Sequence, residues 1–147
     1  MPTFISHSPE DTLKLGERWA ALLQPGDVIA LHGDLGAGKT QLVKGIARGL
    51  QISDRVQSPS FALLNGYLTG RIPLHHLDLY RLQSPADIIG AGLEDYLFRP
   101  EGVAVIEWPE RWCQQGAQLV RPDFWKWVTL SCVDESTRQI VYEGLES

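Results

Sequence analysis

Residues 33–40 read GDLGAGKT, and this run restricts the possible folds of the chain more than any other feature. It fits the pattern GxxxxGK[ST], with Gly33, Gly38, Lys39 and Thr40 at the fixed positions and Gly36 and Ala37 keeping the turn small. Glycines let backbone N–H groups converge on phosphate oxygens, and a helix that starts at the loop turns its unsatisfied donors and positive dipole end toward the same anion. Lys39 is expected to reach the β- and γ-phosphates. The Thr40 hydroxyl is expected to ligate magnesium, which prefers hard oxygen donors and few protein contacts. In 147 residues a chance match is on the order of one in a few hundred. The run therefore implies a nucleoside triphosphate bound with magnesium.

The flanking pattern agrees. The apolar run DVIALH at 27–32 reads as a buried strand entering the loop, and residues 40–50 place Leu42, Val43, Ile46 and Leu50 at helical spacing. An earlier helix begins at SPED (8–11), with Ser8 as cap, Pro9 at the first helical position and an acid at the third, and is expected to end at Pro25 and Gly26. Residues 61–67 and 71–79 read as strands joined through Thr69 and Gly70; SPAD at 84–87 repeats the helix start, and GVAVI at 102–106 is a short buried strand. Residues 124–133 and 139–142 flank a polar turn as a C-terminal hairpin without evident chemistry, read as completing a sheet. The alternation of strands and helices predicts an α/β fold in one domain, residues 1–147.

Composition narrows the function. With 44% hydrophobic residues the chain can bury one core, and with Lys and Arg at 13 against 18 Asp and Glu its net charge of -5 opposes unaided binding to nucleic acid. A basic pair on one helix face, Lys44 and Arg48, is the local exception. No leader-like start and no apolar run of about 20 residues is present, so a cytoplasmic protein without membrane contact is expected. Cys113 and Cys132 lack metal-ligand spacing and are expected to be reduced structural thiols.

Asp78 and Glu107 are the acids that a parallel sheet would bring to strand ends beside the phosphate loop, where one should help hold magnesium. Ser60 falls between the loop's helix and the next strand, where switch segments contact the γ-phosphate or the attacking water. Trp108 reads from composition as a core or surface aromatic. His75 and His76 share a strand, so at most one points inward, and both are expected to be structural.

GDLGAGKT at 33–40, SPSF at 58–61, HLDLYRL at 76–82 and EWPE at 107–110, in this order and spacing, closely resemble the bacterial TsaE (YjeE) family from about residue 10 to residue 112. The resemblance implies a P-loop NTPase-like three-layer α/β/α fold with a mostly parallel central sheet. It also implies a small magnesium-dependent ATPase that acts with the TsaB and TsaD proteins in making threonylcarbamoyladenosine in tRNA; without an assured arginine finger the chain is expected to be slow alone, and its acidic balance predicts that it touches tRNA only indirectly. By that resemblance Thr40 and Glu107 hold magnesium, Asp78 acts near the γ-phosphate and its water, SPSF is a nucleotide-sensitive switch, and Trp108 lies close to the nucleotide. Lys39, Asp78 and Glu107 are then the catalytic set. ATP is contacted by Gly33, Asp34, Leu35, Gly36, Ala37, Gly38, Lys39, Thr40, Gln41, Ser60 and Trp108. Two residues depart from the family pattern: Gln41 stands where a second threonine is usual, and Ser60 makes SPSF where SPTF is usual.

The alternatives are a small P-loop kinase, a regulatory GTPase and a non-catalytic ATP-sensing module. A kinase needs an arginine-rich lid, whereas only Arg111 and Arg121 follow Glu107 before the hairpin; a GTPase needs an NKxD motif, which is absent. Arg55, Arg71 and Arg81 are candidates in cis for a charge-stabilising arginine.

Overall fold

The computed structural model describes residues 2–34, 36–59, 62–115 and 118–145. The elements run β1 (Thr3–Ser6), α1 (Pro9–Ala20), β2 (Val28–Gly33), α2 (Lys39–Gly49), β3 (Leu64–Tyr67), β4 (Leu74–Asp78), α3 (Pro85–Gly90), a 3₁₀ turn (Glu94–Tyr96), β5 (Val103–Glu107), α4 (Glu110–Cys113), a short ladder of β6 (Gln114–Gln115) with β7 (Gln118–Leu119), β8 (Trp125–Cys132) and β9 (Arg138–Glu143). Seven strands form one sheet in the order β1-β9-β8-β2-β5-β4-β3. The middle four, β8, β2, β5 and β4, are parallel, and antiparallel pairs close both flanks.

Alternation along the strands splits the core into two layers. Ile29 and Leu31 of β2, with Val103 and Val105 of β5, pack beneath α1 and α2 through Leu15, Trp19, Leu42, Val43 and Ile46. Val28, Ala30, Ala104 and Ile106 face the other way, onto Ile88 of α3, Leu97 and Cys113 of α4. The result is the expected three-layer α/β/α arrangement, parallel at its centre. The strands predicted at the C-terminus are β8 and β9; β8 is itself a central strand, paired in parallel with β2.

Both serine caps form as read. Ser8 Oγ accepts from Asp11 N–H at 3.1 Å while Asp11 accepts from His7 N–H at 2.9 Å, and Ser84 and Asp87 repeat the motif. Three boundaries differ from the sequence reading. The first helix stops at Ala20 instead of reaching Pro25, because Ala21, Leu22 and Leu23 bond back three residues and tighten the final turn. The third strand begins at Leu64, after Leu63 takes a positive φ of 67°. The fourth begins at Leu74, after Pro73, which has no N–H for the ladder.

The helices α1 and α2 lie close enough that Gly16 has no room for a side chain: a Cβ there would sit 2.5 Å from the Leu42 carbonyl oxygen. Gly90, also helical, has nothing within 4 Å of the same position. Helix propensity alone favours alanine at both sites. Gly16→Ala is therefore expected to lower stability by about 1–3 kcal/mol through overpacking, whereas Gly90→Ala should be neutral or raise it by about 0.5 kcal/mol. Urea unfolding of the two variants checks the contrast, and equal effects would contradict it.

Candidate functional site

The phosphate loop leaves β2 at Gly33 and enters α2 at Lys39. Gly38, the residue before the helix, has φ 99°, a left-handed conformation that a side chain would strain. Three residues from neighbouring strands meet the loop because β4 and β5 are in parallel register, with Asp78 opposite Glu107 and His76 opposite Val105. Alternation turns His76, Asp78 and Glu107 toward the α2 side, the face that also carries Leu74, Val103 and Val105.

These groups form a connected, nearly dry cluster. Lys39 and Glu107 are each 5% exposed and His76 is 0% exposed. Lys39 Nζ donates to the Gly33 carbonyl at 2.7 Å and lies 3.7 Å from Glu107 Oε1, and the other carboxylate oxygen, Oε2, is 2.6 Å from His76 Nε2. The Trp108 ring lies under the same ammonium at 4.9 Å, so two anionic or π-rich faces and a carbonyl compensate one buried cation. Trp108 holds a positive φ of 57°, which costs a bulky residue about 1–3 kcal/mol, and its ring also contacts Tyr80 at 4.9 Å. Asp78 Oδ1 accepts from Tyr80 N–H at 2.9 Å, which fixes the carboxylate at the strand exit.

Gly36, Gly38, Thr40, Gln41, Lys44 and Ser58 join Lys39, Asp78, Glu107 and Trp108 around a cleft of about 330 Å³. A second cleft of about 250 Å³ lies across the loop, sharing Gly36, Gly38 and Gln41 and walled by Thr12, Glu135 and Arg138. Of the site residues expected from sequence, Gly36, Gly38, Lys39, Thr40, Gln41, Asp78, Glu107 and Trp108 line the first cleft; Gly33, Asp34 and Ala37 belong to the loop but line neither cleft, and Leu35 and Ser60 lie outside the described residues.

Some residues escaped the sequence reading. His76, expected to be structural, touches a site carboxylate. The hairpin read as without chemistry reaches the loop, with Arg138 Nη2 donating to the Gly36 carbonyl at 3.2 Å. Neither contact has a local sequence signal, since each depends on which strand lies beside which. His75 points to the opposite side, its ring tilted against Tyr96 at 4.9 Å, where burial lowers its pKa and Glu101 opposes that shift. The basic pair divides: Lys44 lines the first cleft, while Arg48 pairs with Glu17 of α1 at 3.3 Å. Among the candidate arginines, Arg71 donates to the Ala20 carbonyl at 2.5 Å and fastens β4's approach to α1. Outside that set, Arg111 lies 5.7 Å from the Tyr80 ring and 5.8 Å from Trp108.

For a hard divalent cation the donors fit. The Glu107 carboxylate and the Thr40 hydroxyl border one cleft, and both are oxygen ligands. Among the described residues no group of three or more His, Cys, Asp or Glu could hold a metal by itself, so a cation here would take its remaining ligands from phosphate and water.

The chain is similar to proteins of one family. Residues 6–140 match the family described as threonylcarbamoyl adenosine biosynthesis protein TsaE. The tRNA threonylcarbamoyladenosine biosynthesis protein TsaE of Nostoc sp. is 45% identical over 133 residues, 88% of this chain and 78% of the relative. That of Treponema pallidum is 38% identical over 136 residues, 92% of this chain and 96% of the relative. The crystal structure of Bacillus subtilis YdiB superposes with a TM-score of 0.77 at 32% identity, over 99% of this chain and 86% of that one.

The two thiols sit in different environments. Cys113 is buried, and desolvation, helped by Glu110 and opposed by Arg121, pushes its pKa up to about 12; Cys132 is exposed on β8, 3.9 Å from the Gly36 carbonyl. At about pH 8 only Cys132 should react with a thiol-exchange reagent in the native protein, and both after denaturation. Counting released chromophore before and after denaturant checks this, and a native count of two would contradict the burial of Cys113.

Proposed function

The chain belongs to the TsaE family of threonylcarbamoyladenosine biosynthesis proteins, and from that premise we propose that it is a magnesium-dependent ATPase serving threonylcarbamoyladenosine modification of tRNA together with TsaB and TsaD. The observation that carries the reading is the register of β4 on β5, which sets Asp78 and Glu107 side by side at the edge where Lys39 opens α2.

In this reading the loop amides and the α2 N-terminus receive the β- and γ-phosphates. Lys39, which already lines the cleft, would exchange its bond to the Gly33 carbonyl for phosphate oxygens. Thr40 and Glu107 would hold a magnesium ion, whose charge would offset that of the phosphates. Asp78, kept at the strand exit by the Tyr80 amide, orients or deprotonates the attacking water. The second cleft, continuous with the loop through Gly36 and Gln41, would take the nucleoside end. Gln41 borders both clefts and can donate to an α-phosphate oxygen in place of the usual threonine.

Charge stabilisation from the chain alone is incomplete in this reading. Among the described residues no arginine lines the first cleft, and Arg71 is committed to α1, so in this reading an arginine or another cation would come from a partner. The ATPase cycle would then reset the TsaB–TsaD complex, on which the transfer to tRNA takes place.

Steady-state phosphate release from ATP tests this, measured with the protein alone and with TsaB and TsaD added. Release should be slow alone and rise with the partners, and Lys39→Ala should lower it by at least about 100-fold. Phosphate appearing in an acceptor instead of in solution would favour a kinase. Release that Lys39→Ala leaves intact would overturn the assignment of the loop.

A further inference from the structure

We infer that His76 is a positioning residue for Glu107: its Nε2–H holds carboxylate oxygen Oε2 so that Oε1 is presented to the Lys39 side of the cleft, where the proposed reading puts the metal-bound phosphates. The inference deepens that reading and rests on it for the identity of the cation.

The geometry is specific. Glutamate has three side-chain torsions, and one hydrogen bond to a fixed donor removes most of their freedom before any ligand arrives. The donor is fixed here, since His76 is fully buried and stands on β4, which is paired on both sides, by β3 and β5. The two oxygens of Glu107 have divided partners, with Oε2 2.6 Å from His76 Nε2 and Oε1 3.7 Å from Lys39 Nζ. Among the described residues His76 Nδ1 has no hydrogen-bond partner. A buried polar atom without a partner opposes folding, so leucine would serve packing better at this position. The one nitrogen that is used is spent on a site carboxylate. The strand pattern explains the reach: His76 faces Val105 across the ladder, and Glu107 is the next residue on the same face.

Three variants separate positioning from packing. His76→Leu keeps bulk and removes the donor. His76→Gln restores an amide donor near the place of Nε2. His76→Asn ends short of Oε2 and serves if His76→Leu does not fold. Mn²⁺ affinity is read by electron paramagnetic resonance in the presence of a non-hydrolysable ATP analogue, nucleotide affinity is read without divalent cation, and carbon-13 relaxation of the Glu107 side chain is read in the metal-free protein. His76→Leu should weaken Mn²⁺ by about 10–100-fold, and His76→Gln should recover it to within about threefold. Metal-free nucleotide affinity should stay unchanged, and Glu107 should become more mobile in His76→Leu and His76→Asn only. Wild-type Mn²⁺ affinity in His76→Leu overturns the inference, as does unchanged order of the Glu107 side chain. Failure of His76→Gln to recover Mn²⁺ binding, with a wild-type unfolding midpoint, does the same. A wild-type protein whose nucleotide binding ignores Mn²⁺ overturns the metal reading of the site instead, and the relaxation measurement still decides whether His76 orders Glu107.

Discussion

The parallel register among β4, β5 and β2 is the constraint on which the site depends. Leu31 pairs with Glu107, and Glu107 pairs with Asp78, so the two strands that carry the acids end at one level, two residues short of the point where β2 passes into the phosphate loop. A slip of one residue in β4 would turn His76 and Asp78 to the opposite face and bring His75 and Leu77 under α2. The apolar residues prevent that slip, because Leu74 belongs to the layer beneath α1 and α2 while Leu77 belongs to the other. Core packing therefore sets the position of the chemistry.

That position makes a buried ammonium tolerable. Lys39 is almost wholly removed from water and is compensated by the Gly33 carbonyl, Glu107 and the Trp108 ring. Removing one member of a buried charged pair typically costs on the order of 3–5 kcal/mol, because the other charge is left without compensation. The loop is also held from outside the parallel sheet. Arg138 at the start of β9 donates to the Gly36 carbonyl and to carbonyls of its own turn, Asp134 and Thr137. The antiparallel flank thus anchors one side of the loop and α2 the other.

What could be read from the sequence follows the range of the interactions. The loop, the two capping boxes and the strand-exit acids were legible because each is encoded within a few neighbouring residues. Asp78 and Glu107 could be proposed as neighbours only by assuming a parallel sheet, and the register bears out their adjacency. The strand β1 was not foreseen, since its four residues pair with β9 from the far end of the chain. The end of α1 was misplaced because the pattern of Leu15, Trp19 and Leu22 continues past the point where the backbone tightens. The His76 contact and the reach of Arg138 were hidden for a different reason. Each joins residues more than 30 positions apart, and composition alone makes the one a core histidine and the other a turn arginine.

The charges around the main cleft bear on why the proposed ligand would need its metal. Lys39 and Lys44 set two formal positive charges against Asp78 and Glu107, so the cleft by itself has no surplus with which to receive a triphosphate. A bare triphosphate would confront two carboxylates at close range, and in a nearly dry site such repulsion is weakly screened. A divalent cation reverses the sign of one of those encounters, turning Glu107 from an obstacle into a ligand, and frees Lys39 to leave it for phosphate. On this argument Glu107 has two successive partners, the ammonium before the ligand binds and the cation afterwards. A carboxylate that must exchange one for the other without moving needs its second oxygen held by something that takes part in neither, and His76 occupies that place.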